Sequence, residues 1–166
     1  MSNQLPTASG GRSELQTSET KEFVTMTVGG QLFGIPVLSV QDVLAAQKIA
    51  RIPLAPPEVA GALNLRGRIV TAIDVRTRLG LPPMDSGQTG MSIVVDHHGE
   101  LYSLIIDVIG DVMDLPNSAY ERSPATLDPS WREVAAGVYR LDGELLVVLD
   151  VNRLLDFADR ETSTAA

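Results

Sequence analysis

The second half of this chain repeats the residue pattern of the first half. Residues 30–35, Gly-Gln-Leu-Phe-Gly-Ile, match residues 99–104, Gly-Glu-Leu-Tyr-Ser-Leu, and residues 61–79 match residues 137–155 in the same way. Both copies contain short alternating apolar runs that are separated by turns with glycine, the pattern of β-hairpins. Two copies with about five short strands each predict two small β-barrels side by side.

The segment over residues 62–76, Ala-Leu-Asn-Leu-Arg-Gly-Arg-Ile-Val-Thr-Ala-Ile-Asp-Val-Arg, predicts one of these hairpins. Its turn lies at Arg66 and Gly67, because glycine readily takes the positive φ that a short hairpin turn requires. The second copy carries Asp142 where the first carries Arg66. A purely structural role does not require this difference, which indicates that Arg66 has a function of its own.

The composition along the chain predicts one folded region between two polar ends. Residues 1–20 contain almost nothing apolar to bury, and we expect a disordered leader there. Residues 21–157 form the folded region, with a first half over 21–85 and a second half over 90–157, and a polar tail follows over 158–166. The sequence leaves open whether the first strand stays in its own barrel or exchanges with the other.

Several connecting segments carry weaker predictions. The apolar spacing over residues 38–44 predicts a short helix, and residues 108–115 resemble that segment. Residues 49–52 predict a further strand before a proline-rich stretch. Short helical turns are expected around residues 76–79 and 153–157. The fold class is therefore all-β with short helices.

Charge and composition exclude several function classes. The net charge of −8 argues against nucleic-acid binding, which needs Lys and Arg to neutralise phosphates. That charge and the scarcity of aromatic residues, at 4%, also disfavour an oligosaccharide- or oligonucleotide-binding barrel. No run approaches the roughly 20 apolar residues of a membrane helix. The chain has no cysteine and no secretory signal pattern, so we expect a cytoplasmic protein without membrane insertion.

No pattern of catalytic or metal-binding residues is present. His97 and His98 are adjacent, so on a strand their side chains would face opposite ways and could not share a metal; we place them in a turn. The sequence lacks nucleophile-elbow, zinc-protease, phosphate-loop and dinucleotide fingerprints. We therefore expect no catalytic residues, no metal and no cofactor.

The duplicated aspartates leave one enzymatic alternative open. Asp74 and Asp150 hold equivalent places after predicted strands, and Asp42 and Asp111 are equivalent as well. Paired carboxylates can act as general acid and base in a small enzyme. The duplication favours another role, capping of the short helix that follows, because Asp accepts hydrogen bonds from free amides at a helix start.

A set of short motifs in fixed order resembles the CheW family of bacterial chemotaxis coupling proteins. The likeness runs from about Glu22 to Phe157, nearly the whole chain outside the predicted leader and tail. The Asn-Leu-Arg-Gly motif with a following Asp-Val-Arg is the most specific part of it. The motifs are Phe33-Gly34-Ile35, Val40-Gln41-Asp42-Val43, Arg51-Ile52-Pro53, Gly61-Ala62-Leu63-Asn64-Leu65-Arg66-Gly67 and Ile73-Asp74-Val75-Arg76.

The resemblance implies two packed five-stranded Src-homology-3-like β-barrels around a shared hydrophobic core. It also implies a stand-alone, non-catalytic adaptor that joins the cytoplasmic tip of chemoreceptors to the regulatory domain of the chemotaxis histidine kinase. Such an adaptor would be cytoplasmic and recruited to membrane-associated receptor arrays. By position, Gly61 and Gly137 would belong to the kinase-binding surface. The receptor-binding groove would contain Val40, Asp42, Arg66, Met91, Ile109 and Val112.

Three departures from the family pattern bear on the choice of partner. The chain has Thr71-Ala72-Ile73 where Pro-Val or Pro-Ile usually precedes the aspartate, and Ser103 replaces a usual glycine. Asp42 stands where the family often has the longer Glu. A CheW-like scaffold of a parallel pathway, one controlling pili, development or another output, is therefore the alternative.

Overall fold

The structure of the protein is a computed structural model that describes residues 19–85, 89–122 and 127–157. Most of the predicted leader and the whole predicted tail over residues 158–166 lie outside the described residues. The described strands are β1 (Thr20–Val28), β2 (Gln31–Pro36), β3 (Val40–Leu44), β4 (Val59–Leu65), β5 (Arg68–Asp74), β6 (Met91–His97), β7 (Glu100–Ile106), β8 (Val108–Pro116), β9 (Tyr120–Glu121), β10 (Ala135–Leu141) and β11 (Glu144–Leu149). The short helices are α1 (Val75–Arg78), α2 (Pro129–Arg132) and α3 (Val151–Leu154).

The strands form two sheets, as the predicted all-β class requires. Sheet I has the order β8-β1-β2-β11-β10-β9, and sheet II has the order β3-β6-β7-β5-β4. The hairpin β1–β2 thus lies in sheet I among strands of the second half, and β6–β7 lies in sheet II among strands of the first half. The pairs β2–β11 and β5–β7 are parallel and join the exchanged hairpins to their sheets.

The edges of each sheet lie near each other in space. In sheet I, the edge strands β8 and β9 are joined by a single 3₁₀ turn over Asn117–Ala119. In sheet II, an ion pair between Arg66 and Asp42 ties the β4–β5 turn to the opposite edge strand β3. Each sheet therefore curls into a barrel. Sheet I has six strands rather than the predicted five, because Tyr120 and Glu121 pair with β10.

The predicted helices over residues 38–44 and 108–115 are wrong. Val37–Ser39 forms one 3₁₀ turn, and β3 then runs antiparallel to β6. Residues 108–115 belong to β8, which pairs with β1. The β-branched Val residues suit a strand, and the long-range ladders outweigh the apolar spacing that a helix shares. The strand predicted over residues 49–52 is reduced to one bridge, Ala50 with Ala62.

The predicted capping is confirmed for Asp74 and Asp150, whereas it is wrong for Asp42 and Asp111, which lie inside the strands β3 and β8. The Asp74 carboxylate accepts a hydrogen bond of 3.3 Å from the Thr77 amide at the start of α1. Asp150 accepts from the amides of Asn152 at 2.9 Å and Arg153 at 3.3 Å at the start of α3. These carboxylates satisfy amides that have no partner within the helix, which explains their recurrence in both copies.

Three apolar clusters form the core. The largest lies between the sheets and combines Met26, Phe33 and Ile35 from sheet I with residues of sheet II such as Ile93 and Leu104. A second cluster lies within sheet I, and a third within sheet II. The second contains Phe23, Leu115, Tyr139, Leu146 and Val148, and the third contains Leu63, Val70 and Ala72. The shared central cluster makes the two barrels one packed unit.

A charged network fastens the exchanged hairpin β1–β2 to the end of β7. Arg76 donates from Nε to Asp107 Oδ1 at 2.8 Å and from Nη2 to Oδ2 at 2.6 Å, and the Gly29 amide donates to Oδ2 at 2.9 Å. The hydrogen bond from the Arg76 guanidinium holds the pKa of the Asp107 carboxyl below its ordinary value, against the opposing effect of burial. The Asp-Val-Arg motif therefore serves the fold at both of its polar positions.

Further hydrogen bonds tie α1 to the elements of the second half. Arg78 donates from Nε to the carbonyl oxygen of Leu154 at 2.8 Å and stacks its guanidinium 5.4 Å from the ring centre of Phe157. Trp131 donates from Nε1 to the carbonyl oxygen of Leu79 at 3.1 Å. These contacts satisfy carbonyl groups at the ends of both short helices.

Candidate functional site

The β4–β5 turn holds Arg66 in an exposed position. Arg66 and Gly67 have φ values of 53° and 84°, and positive φ at both central residues is the geometry of a tight two-residue hairpin turn. Asn64 Oδ1 accepts the Gly67 amide at 2.9 Å, which fixes the turn. The Arg66 side chain is 79% exposed, and its Nη2 lies 3.1 Å from Asp42 Oδ2.

The backbone of Arg66 is strained, and the site keeps an arginine there nonetheless. A residue with a β-carbon in the left-handed region costs roughly 1–2 kcal/mol relative to the right-handed region, and Gly or Asn is the usual choice. An exposed ion pair contributes at most about 1 kcal/mol, so the pair with Asp42 does not account for the strain. In the second copy, Asp142 does not take positive φ, so the two turns differ in backbone as well as in charge. His98 has a similar φ of 55° in the β6–β7 turn, so the exposure and charge of Arg66, more than its backbone, support a functional role.

The remaining predicted groove residues lie on three strands. Val40 is on β3 with Asp42, Met91 begins β6, and Ile109 and Val112 are on β8. Val40 and Ile109 are partly buried and pack against the central core cluster, whereas Val112 is 55% exposed. The structure brings Arg66 and Asp42 into direct contact. Val112 lies in sheet I and Met91 lies at the start of β6, so neither is on the elements that carry that pair.

The edge strands β3 and β8 carry exposed apolar side chains that were not among the predicted groove residues. Val43 on β3 is 42% exposed, and Val108 on β8 is 56% exposed. These side chains were missed because both segments were predicted to be helical, and side chains point in different directions on a helix and on a strand. The available signal was the β-branched character of both segments. With Val112, they provide apolar surface on strands whose outer backbone edges are unpaired in their sheets.

Gly61 and Gly137, the predicted kinase-binding positions, are buried and lie at irregularities in their hairpins. A β-carbon at Gly61 would overlap the carbonyl oxygen of Ala50, and one at Gly137 would overlap the ring of Tyr120. Each glycine therefore leaves the space that a neighbouring segment needs to pack against its barrel, the segment at Ala50 for Gly61 and β9 for Gly137. Both glycines are buried, so the segments that they support, and not the glycines themselves, form the surface at these positions.

The described residues hold no group of three or more His, Cys, Asp and Glu side chains that could bind a metal. His97 ends β6 and is 2% exposed, with its Nδ1 3.2 Å from Asn152 Oδ1, whereas His98 lies in the turn at φ 55°. The predicted turn position is thus correct for His98, and His97 is a core residue. Asp74 and Asp150 face amides of their own helices. No described helix has the length and apolar character needed to span a membrane.

Comparison with known proteins gives consistent results for sequence and fold. "Chemotaxis protein CheW" of Bacillus subtilis is 27% identical over 154 residues, covering 93% of this chain and 96% of that protein. "Chemotaxis protein CheW" of Klebsiella aerogenes is 27% identical over 135 residues and 81% of each chain. "Protein PilI" of Pseudomonas aeruginosa is 22% identical over 140 residues, covering 84% of this chain and 79% of that protein.

The fold has a close counterpart among solved structures. The crystal structure of scaffolding protein TtCheW from Thermoanaerobacter tengcongensis superposes with a TM-score of 0.74, at 24% identity, over 82% of this chain and 93% of that one. The family model of the CheW-like domain matches residues 22–159. That match spans both barrels and the Asn-Leu-Arg-Gly and Asp-Val-Arg motifs, and the chain therefore belongs to the CheW family of chemotaxis coupling proteins.

Proposed function

We propose that this protein is a non-catalytic adaptor that couples the cytoplasmic tip of chemoreceptors to the regulatory domain of a chemotaxis histidine kinase. The observation that carries the proposal is Arg66, a strained and 79% exposed arginine at a hairpin turn beside Asp42. Family membership supports this class of partner, and the exposed Arg66 turn supports the choice of surface. Such an adaptor works in the cytoplasm and joins membrane-associated receptor arrays through its partners.

The receptor would bind along the edge strands next to the Arg66 turn. A receptor tip is a helical hairpin, and an apolar groove binds one face of a helix. Val40 and Ile109 would form the floor of the groove, with Val112 and Met91 at its sides. Arg66 would leave Asp42 or share it, and donate hydrogen bonds to a receptor carboxylate or to carbonyl groups at the hairpin. The exposed ion pair costs little to open, because it is screened by water.

The kinase would bind to outer surfaces of the barrels. Gly61 and Gly137 support segments at those surfaces, namely the segment at Ala50 and the strand β9 with Tyr120. Replacing either glycine would displace its segment and change the docking surface without touching the Arg66 turn. Receptor binding and kinase binding should therefore be separable by mutation.

Substitution of Arg66 tests the receptor side of the proposal. Arg66→Ala should weaken binding of a purified receptor fragment at least tenfold, the loss expected when a charge-assisted hydrogen bond of about 1.5 kcal/mol is removed. Arg66→Gly should weaken it equally while being at least as stable as the wild type in thermal unfolding, since glycine relieves the strain. Binding would be measured by calorimetry with the full chain.

Arg68→Ala provides the matched control, because Arg68 is also exposed and lies two residues further along the same hairpin. It should bind the receptor fragment as the wild type does. Equal binding by the Arg66 and Arg68 variants would remove Arg66 from the proposal. Retention of kinase binding by Arg66→Ala separates the loss of a contact from general unfolding.

The similarity to "Protein PilI" favours a second candidate within the same class, a scaffold of a parallel chemosensory pathway. The departures at Thr71-Ala72-Ile73 and Asp42 bear on this choice. Parallel pull-downs with the regulatory domains of the chemotaxis kinase and of the alternative pathway's kinase decide between the two. Selective retention of the second domain would assign the protein to the parallel pathway.

A further inference from the structure

A pocket of about 560 Å³ opens at the end of the sheet I barrel, over the second core cluster. Strands β1, β2, β9, β10 and β11 contribute to it, together with α3. Its volume lies in the range of small-molecule sites, roughly 300–1,000 Å³. The lining residues are Lys21, Phe23, Pro36, Asn117, Tyr120, Arg122, Ala136, Tyr139, Val148 and Arg153.

The floor of the pocket is aromatic and rigid. Tyr139 contacts Phe23 edge-on at 5.5 Å between ring centres and contacts Tyr120 at 5.4 Å. The missing side chain at Gly137 gives the ring of Tyr120 its place, because a β-carbon there would overlap it. Three interlocked rings with fixed positions form a surface for an apolar or aromatic body.

The polar groups of the pocket are positive or neutral. Lys21, Arg122 and Arg153 line it, and its lining contains no Asp or Glu, although the whole chain has 21 acidic and 13 basic residues. Arg153 is 3.7 Å from Asp150, so part of its charge is balanced. Neither Lys21 nor Arg122 forms an ion pair with any residue in the described ranges.

Tyr139 contributes a hydroxyl group to the lining of the pocket. The residue is 1% exposed, and burial raises the pKa of its hydroxyl. Burial raises the pKa of the Tyr120 hydroxyl, and the charges of Arg122 and Arg153 oppose that rise, so both guanidinium groups act on the hydroxyl.

We propose that this pocket binds a small amphipathic organic anion, with its apolar body against Phe23, Tyr120 and Tyr139 and its acidic group towards Lys21 and Arg122. The site is separate from the Arg66 turn and does not depend on receptor or kinase binding. Because Tyr120 lies over Gly137, an occupied pocket would also fix β9.

The test uses a fluorescent anion and its neutral analogue on the folded full chain. The probe 8-anilino-1-naphthalenesulfonate should bind with enhanced fluorescence, and N-phenyl-1-naphthylamine, which lacks the sulfonate, should bind at least tenfold more weakly. Arg122→Gln should weaken binding of the anion about tenfold, the effect of one charge-assisted contact, and leave the neutral probe unchanged. Lys21→Gln should act in the same direction.

Arg68→Gln is the control, since it removes one positive charge from an exposed site on sheet II. It should bind the anion as the wild type does, and thermal melts of all variants establish that each is folded. Chemical-shift changes on Tyr120, Tyr139 and Val148 should locate the probe. Equal affinity for the two probes, or equal losses in Arg122→Gln and Arg68→Gln, would overturn the proposal.

Discussion

Asp107→Asn should destabilise the protein more than substitution of Asp74, Asp114 or Asp150. The carboxylate accepts three hydrogen bonds, two from the Arg76 guanidinium and one from the Gly29 amide. The Arg76 and Asp107 side chains are only 16% and 18% exposed. An Asn side chain keeps one acceptor and presents an NH₂ donor to groups that are themselves donors.

The magnitude follows from the burial of this pair. Removing one partner of a buried ion pair costs about 3–5 kcal/mol, and residual exposure places the loss here at about 3 kcal/mol. With an unfolding entropy of about 2.1 cal/mol/K per residue for a domain of this size, the melting temperature should fall by about 10 °C.

The effect should depend on pH in one direction. The pKa of Asp107 is lowered in the folded state, chiefly by hydrogen bonding to Arg76, so the carboxylate stabilises the fold above its ordinary pKa of 3.8. That contribution disappears as the pH falls through the lower folded-state pKa. The difference between wild type and Asp107→Asn should therefore be constant from neutral pH down to about pH 4 and shrink below it.

Urea unfolding followed by circular dichroism measures both effects. Asp114→Asn is the control, because Asp114 is an exposed aspartate on β8. A double-mutant cycle with Arg76→Gln should return a coupling energy of about 2 kcal/mol or more. A loss below about 1 kcal/mol for Asp107→Asn, or a cycle without coupling, would refute the structural role of the network.

Three other substitutions have simple expected outcomes. Ser103→Ala should raise the free energy of unfolding by about 1 kcal/mol, because the Ser103 hydroxyl is buried and unpaired within the described residues; a less stable Ala variant in urea unfolding would mean that the hydroxyl has a partner. Asp150→Ala should cost about 1 kcal/mol by loss of the cap on α3. Asp74→Ala should cost less, since its single capping bond is 3.3 Å long, and equal or reversed losses in thermal unfolding would contradict that ranking.

The hairpins were predictable because their signals are local. Alternating apolar residues around Gly-containing turns predicted β4–β5, β6–β7 and β10–β11 close to their observed bounds. The caps by Asp74 and Asp150 were predicted from the equivalent places of these residues after strands of the two copies. β3 and β8 were missed because their apolar spacing fits a helix. Leu38 lies in the segment that was wrongly predicted as a helix, and it is 92% exposed in the 3₁₀ turn before β3.

The candidate site was predictable in its residues but not in its geometry. The contrast of Arg66 with Asp142 singled out the arginine from the repeat. The contact of Arg66 with Asp42 joins opposite edges of sheet II, and no local pattern encodes it. The exchange of hairpins is equally hidden, because both hairpins carry the same pattern and either could complete either barrel.

The parallel pairing of β2 with β11 has a consequence for how the chain is made. Gln31 bonds to the Leu145 carbonyl across a separation of 114 residues. At roughly 5–20 residues per second, the ribosome delivers β11 about 6–23 s after β2 has been synthesised. During that interval the outer edge of β2 has no partner strand, although β8 becomes available to pair with β1 before β11 is made. The nascent protein must therefore keep its first hairpin from other chains until its last strand arrives.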